Sequence, residues 1–122
     1  MNVQLLTQII MKKEIRVRCR IDLDGKKFFG PGPARLLQLI EKEGSIKKAS
    51  KSMGMSYKKA WDIVDRLNEK GKTPYVALQK GGQQGGGAVL TASGKKLISE
   101  YAKLSSKIDA IVAKNTRILS LV

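Results

Sequence analysis

The chain has 122 residues, 24 Lys+Arg against 10 Asp+Glu, no histidine and one cysteine, for a formal net charge of +14 and a pI near 10.1. That length supports one domain with a modest core. The composition excludes an internal disulfide and a cysteine-based zinc site, and it lacks histidine, the commonest general base and metal ligand, so an enzyme is the least expected class.

Residues Val3 to Met11 are apolar in places. The run is too short to span a bilayer and has neither a basic leader nor a small-residue cleavage site. Residues 1–13 are expected to be a loose N-terminal extension, with Met11 an alternative start, and a cytoplasmic location with no membrane partner is expected. From Glu14 to Asp22, Ile15, Val17, Cys19 and Ile21 alternate with Arg16, Arg18 and Arg20, which predicts a half-buried strand. Asp24-Gly25 is a hairpin signal, and Lys26 to Phe29 form the return strand. The arginines read as a solvated face, with a DNA-backbone contact as the alternative; Cys19 reads as a small core residue.

Gly30-Pro31-Gly32-Pro33 contains G-x-G, but its prolines lack the N–H groups a phosphate needs and the third glycine of a dinucleotide loop is missing. Pro33 is expected to open a helix carrying Leu36, Leu37, Leu39 and Ile40 and ending before Gly44. Next comes GSIKKASKSMGMSYKKAWDIVDRL, residues Gly44 to Leu67. Ser45 caps a first short helix with Ile46, Ala49 and Met53 at helical spacing; Gly54 turns the chain; Ser56 caps a second helix with the stripe Ala60, Val64, Leu67. This is a helix-turn-helix, whose second helix would enter the DNA major groove.

Within it, Ser56, Tyr57, Lys58 and Lys59 begin the recognition helix and are expected to face DNA. Tyr57 has the alternative of partial burial, Ser56 of capping alone, and Trp61 of packing in place of a backbone contact. Ser45, Lys47, Lys48 and Lys51 sit on the helix that would cross the backbone, where one or two lysines would clamp phosphates.

After Leu67 the helical pattern dissolves through Glu69 to Pro74. Val76 and Leu78 predict a short strand and Ala88 to Leu90 its partner, around a Gly-rich loop from Lys80 to Gly87. This has the form of a wing that follows DNA backbone or enters a minor groove, with Lys80, Gln83 and Gln84 as donors; a plain hairpin turn is the other reading. A phosphate-binding P-loop is excluded because Gly87 stands where its lysine belongs and a strand follows.

Thr91 then caps a long final helix whose positions Leu97, Tyr101, Leu104, Ile108, Ile111, Asn115, Ile118 and Val122 step by four and three. Such a heptad seam predicts pairing with a second copy. Asn115 either fixes the register on that seam or marks fraying at the helix end. A dimer would present two recognition helices to successive turns of one duplex and demand a palindromic site.

The segments G44-S45-I46-x-x-A49 and M55-S56-Y57-K58-x-A60-W61-D62 resemble the DNA-binding domain of the ModE-type regulators of molybdate metabolism. G85-G86-G87-A88-V89-L90-T91-x-x-G94 is similar to the same family's wing and following helix start, and the helix-turn-helix is more distantly similar to that of the LysR-type regulators. The resemblance covers roughly residues 30 to 105. It implies a winged helix, DNA binding and dimerisation. Full-length members carry C-terminal molybdate-binding domains; this chain stops at Val122, so a standalone form without them is expected, and oxyanion sensing does not carry over.

The expected architecture is mainly α with small β: an extension (1–13), a winged helix-turn-helix with an N-terminal β-hairpin (14–91) and a C-terminal dimerisation helix (92–122). The expected partners are double-stranded DNA and a second copy of the chain. No catalytic residue, cofactor, metal or molybdate site is expected. Alternatives are a nonspecific architectural DNA protein, for which the charge alone suffices, and a winged-helix module that docks a protein partner.

Overall fold

A computed structural model describes residues 2–79 and 87–122. The chain runs α1 (Val3–Ile10), β1 (Ile21–Leu23), β2 (Lys26–Phe29), α2 (Pro31–Glu43), α3 (Ile46–Met53), α4 (Tyr57–Lys70), β3 (Val76–Gln79), β4 (Gly87–Leu90), α5 (Ala92–Ala113) and a closing 3₁₀ turn, Arg117–Leu121. This is the mainly α, small β layout of a winged helix with a hairpin in front.

The front segment departs from its sequence pattern in two ways. Residues 3–10, expected to be loose, form a helix capped by Asn2, whose side chain accepts from the Gln4 N–H. The strand expected from Glu14 to Asp22 is only Ile21–Leu23. Asp24 and Gly25 both take positive φ, 51° and 74°, as a tight hairpin turn demands. The return strand then runs out at Phe29, because Pro31 starts a helix. Residues before Ile21 therefore have no strand to pair with, and alternation without a neighbour does not make a sheet. On the alternating face Ile15 and Cys19 are half-buried, while Val17 and Ile21 are exposed.

Helix α2 is the centre of the core. It begins at Pro31, two residues before the expected Pro33, with Gly30 as its cap. Leu36, Leu37, Leu39 and Ile40 are all buried, and Gly44 ends the helix in the left-handed region. Phe28 and Phe29 cover it from the hairpin; Ile46, Ala49, Ala60, Val64 and Leu67 cover it from α3 and α4. β3 and β4 pair antiparallel from Val76↔Leu90 to Gln79↔Gly87, so Gly87 belongs to the strand, not the loop. The Ala88 N–H donates to the Gly44 carbonyl at 3.0 Å, tying this sheet to the end of α2. Val76 is buried and Leu78 is 55% exposed, so the short β3 sends alternate side chains to core and solvent.

Helix α5 starts on Thr91, whose hydroxyl accepts from the Gly94 N–H and donates to the Pro74 carbonyl. Its first half is bound to the domain. Leu97, Ile98 and Tyr101 pack on the core. The Tyr101 ring meets Phe29 edge-on at 5.1 Å, and its hydroxyl donates to the Cys19 carbonyl at 2.8 Å. Desolvation at this half-buried position raises the phenol above its ordinary pKa. Two positions of the expected seam, Leu97 and Tyr101, thus serve the chain's own core, whereas Leu104 and Ile111 stand 47% and 63% exposed. Asn115 lies past the helix end, and its amide donates to the Ile111 carbonyl at 2.7 Å. Ile118 and Val122, the last two positions of the expected seam, also lie past Ala113.

Candidate nucleic-acid interface

Between Ser45 and Lys59 the chain has five lysines and no carboxylate. Local geometry turns this stretch into a defined surface. The Ser45 hydroxyl accepts from the Lys48 N–H at 3.2 Å, and the Ser56 hydroxyl accepts from the Lys59 N–H at 3.1 Å. Each cap satisfies one backbone donor that the helix start leaves unpaired. Between them Gly54 sits at φ 66°; its N–H reaches the Lys51 carbonyl and the Met55 N–H reaches the Ser50 carbonyl. This is a Schellman turn, which ends α3 sharply and lets α4 start after only three intervening residues. Ala49 and Ala60 are fully buried where the helices meet.

With Ile46, Ala49, Ala60, Val64 and Leu67 inward, Lys47, Lys48, Lys51, Lys58 and Lys59 are all exposed. Tyr57 is 47% exposed, so it is not buried against α3. Its ring packs edge-on to Trp61 at 6.2 Å, and Trp61 is half-buried against the core. Trp61 therefore stiffens the start of α4 and supports Tyr57 from behind. Lys58 approaches Asp62 at 3.9 Å, with both side chains largely in solvent, a pairing of small energetic weight. Beyond the first turn the outward face of α4 becomes acidic, through Asp62, Asp65 and Glu69. The cationic part of the helix is its N-terminal turn, where the macrodipole also favours an anion.

Helix α4 runs to Lys70, three residues past the expected break at Leu67, and this extra length carries a residue that sequence reading missed. The Asn68 amide donates to the Val76 carbonyl at 2.9 Å, and its oxygen accepts from the Tyr75 and Val76 N–H groups at 2.8 and 3.2 Å. One side chain thereby fixes the base of the wing to the recognition helix. No local pattern marks it, since its partners are seven and eight residues away across a turn. Close packing around Tyr75 completes the joint. A Cβ at Gly94 would collide with the Tyr75 backbone carbonyl, and one at Gly71 with the Tyr75 ring. Lys80, Gln83 and Gln84, the expected wing donors, lie outside the described residues.

The structure brings Ser45, Lys47, Lys48, Ser56, Tyr57, Lys58 and Lys59 onto or beside one helix-turn-helix; on α5 it leaves Leu104 and Ile111 exposed and Ile108 half-buried beside Val17, Cys19 and Pro31. Among the described residues, no group of three or more His, Cys, Asp or Glu side chains is placed to hold a metal, and no helix is long and apolar enough to cross a membrane.

Several known proteins share this sequence pattern. The molybdenum transport protein ModE of Azotobacter vinelandii is 40% identical over 87 residues, which is 71% of this chain and 32% of that protein. The molybdenum-pterin-binding protein MopB of Rhodobacter capsulatus is 40% identical over 86 residues, 70% of this chain and 32% of its own length. The DNA-binding transcriptional dual regulator ModE of Escherichia coli K12 is 40% identical over 85 residues, again 70% and 32%. This chain spans about a third of the length of the curated relatives it matches. No family model matches it.

Proposed function

This chain carries the winged-helix domain of the ModE-type regulators, and from that premise we propose that it is a sequence-specific DNA-binding transcription regulator acting as a homodimer on a palindromic site. The observation that carries the reading is the exposed, carboxylate-free run of lysines around the capped turn between α3 and α4. In the proposed complex the N-terminal turn of α4 enters the major groove, with Tyr57 toward base edges and Lys58 and Lys59 toward phosphate. Lys47 and Lys48 on α3 contact the backbone across the groove. The acidic flank of α4, Asp62, Asp65 and Glu69, is turned away from phosphate. The wing loop, with Lys80, Gln83 and Gln84, follows the adjacent backbone or minor groove.

The dimer is assigned to the second half of α5, through Leu104, Ile108 and Ile111, within the C-terminal unit of residues 92–122; residues 14–91 form the DNA-binding unit. Support comes from the exposure of Leu104 and Ile111 on a rigid helix beyond the domain's own core.

Selection tests this reading. Purified protein mixed with fragmented genomic DNA at physiological salt should enrich a palindrome. Uniform retention would instead identify a nonspecific architectural protein, and no retention would point to a protein-docking module. On the enriched site, Lys58→Ala should weaken binding and lower the salt dependence of log K by about one for a single lost phosphate contact. An unchanged slope together with unchanged affinity would remove Lys58 from the interface.

A further inference from the structure

The two flanks of α4 differ in charge. At 100° per residue Lys59, Arg66 and Lys70 fall to one side of the outward face, on a line that rises about 16 Å along the axis. Arg66 turns onto the hairpin, its guanidinium donating to the Lys27 carbonyl at 3.1 Å. Together with Lys70 it lines an open cleft whose other wall includes Lys26 and Lys27. Lys27 also borders a second cleft, on its far side, with Arg18 and Arg20.

Across the two clefts six cations face two carboxylates, Asp22 and Asp24. Asp22 is already taken by Arg20 at 2.7 Å, and Lys70 approaches Glu69 at 3.9 Å. Arg18, Lys26, Lys27, Lys59 and Arg66 take part in no ion pair among the described residues. Crowding uncompensated cations costs folding stability through self-repulsion, a cost that a bound polyanion relieves.

We propose that this ridge, running from Lys59 along Arg66 and Lys70 to Lys26, Lys27 and Arg18, is a second phosphate-backbone contact that leads duplex DNA from the recognition helix onto the β1–β2 hairpin. The inference rests on α4 lying at DNA. Continuity selects the partner: the ridge starts on the turn that carries the groove contacts, and its cations follow one another in a line. An acidic peptide would require neither the starting point nor the linear order.

The test compares salt dependence on two duplexes built on the genomically selected site, one of about one and a half helical turns and one of about four. The double variant Lys26→Ala/Lys27→Ala removes two exposed side chains and leaves the Lys27 carbonyl that Arg66 uses. On the long duplex its slope of log K against log salt should fall by about two. Between about 50 and 200 mM salt the wild type should then lose roughly tenfold more affinity than the variant. On the short duplex the two proteins should behave alike. An unchanged slope on the long duplex, or an equal loss on both, overturns the ridge. Lys58→Ala separates this failure from failure of the underlying reading: if it lowers the slope on both duplexes while the hairpin variant does nothing, α4 remains at DNA and only the ridge is lost. If neither variant moves the slope, both fall.

Discussion

Helices α4 and α5 display the same kind of apolar period and use it differently. In α4, Ala60, Val64 and Leu67 are at most 1% exposed. In α5, the stripe is divided: Leu97 and Tyr101 close the core, while Leu104 and Ile111 remain in solvent. The period states which side chains share a face, but the length of the neighbouring elements decides what covers that face. Helix α4 is 14 residues long and packs against α3 and β2, with its whole stripe in the common core. Helix α5, at 22 residues, still borders α2 at Ile108 and Asp109 and runs about one turn beyond.

The largest effect that would break this comparison comes from the uncovered half. With α5 pairing through its far end, Ile111→Asp sets two carboxylates against an apolar contact and should convert the dimer fully to monomer in light scattering at micromolar concentration. Its monomer should unfold at the same denaturant midpoint as the parent monomer, since Ile111 contributes no buried surface within one chain. A variant that stays dimeric would show that the exposed stripe is not the interface.

Within the covered helix the same kind of substitution has the opposite signature. Leu67→Ala empties a fully buried core site on α4 and should cost about 4 kcal/mol in urea unfolding. A cost below about 1 kcal/mol would mean that the domain collapses around the gap and that its core is far less fixed than the burial of α4 suggests. Next in size is Gly94→Ala, at the junction where α5 leaves the wing. The added methyl meets the Tyr75 carbonyl, backbone that has little room to yield, so a loss of about 3 kcal/mol is expected despite alanine's better helix propensity. A neutral or stabilising result would show that α5 can tilt away from β3, and the tight joint between wing and helix would be disproved.

How much of this was legible from the sequence depends on how local the cause was. The caps at Ser45, Ser56 and Thr91 and the turns at Gly44 and Gly54 involve partners within a few residues, and the structure has them where the pattern put them. The strand expected from Glu14 to Asp22 shrinks to Ile21–Leu23 because a strand needs a neighbour, and Pro31 ends the return strand before one is supplied. The lysines of the candidate interface were legible because the buried stripe of each short helix fixes which residues point outward. Asn68, the Arg66 contact to Lys27 and the Gly94–Tyr75 approach were not, because each exists only after two distant elements have docked.

The smallest effect concerns Asn115, one of three expected seam positions, with Ile118 and Val122, that lie past the end of α5. An asparagine inside a paired helix interface sets register, and its loss changes oligomeric state. Asn115 instead follows the last turn of α5 and returns its amide to the Ile111 carbonyl, satisfying one of the acceptors that every helix end leaves open. Asn115→Ala should therefore cost less than about 0.5 kcal/mol and leave the dimer unchanged in mass and affinity. A shift to a higher oligomer or a mixture of registers in cross-linking would place Asn115 between two chains, and α5 would have to continue as a helix through Lys114 when its partner is bound.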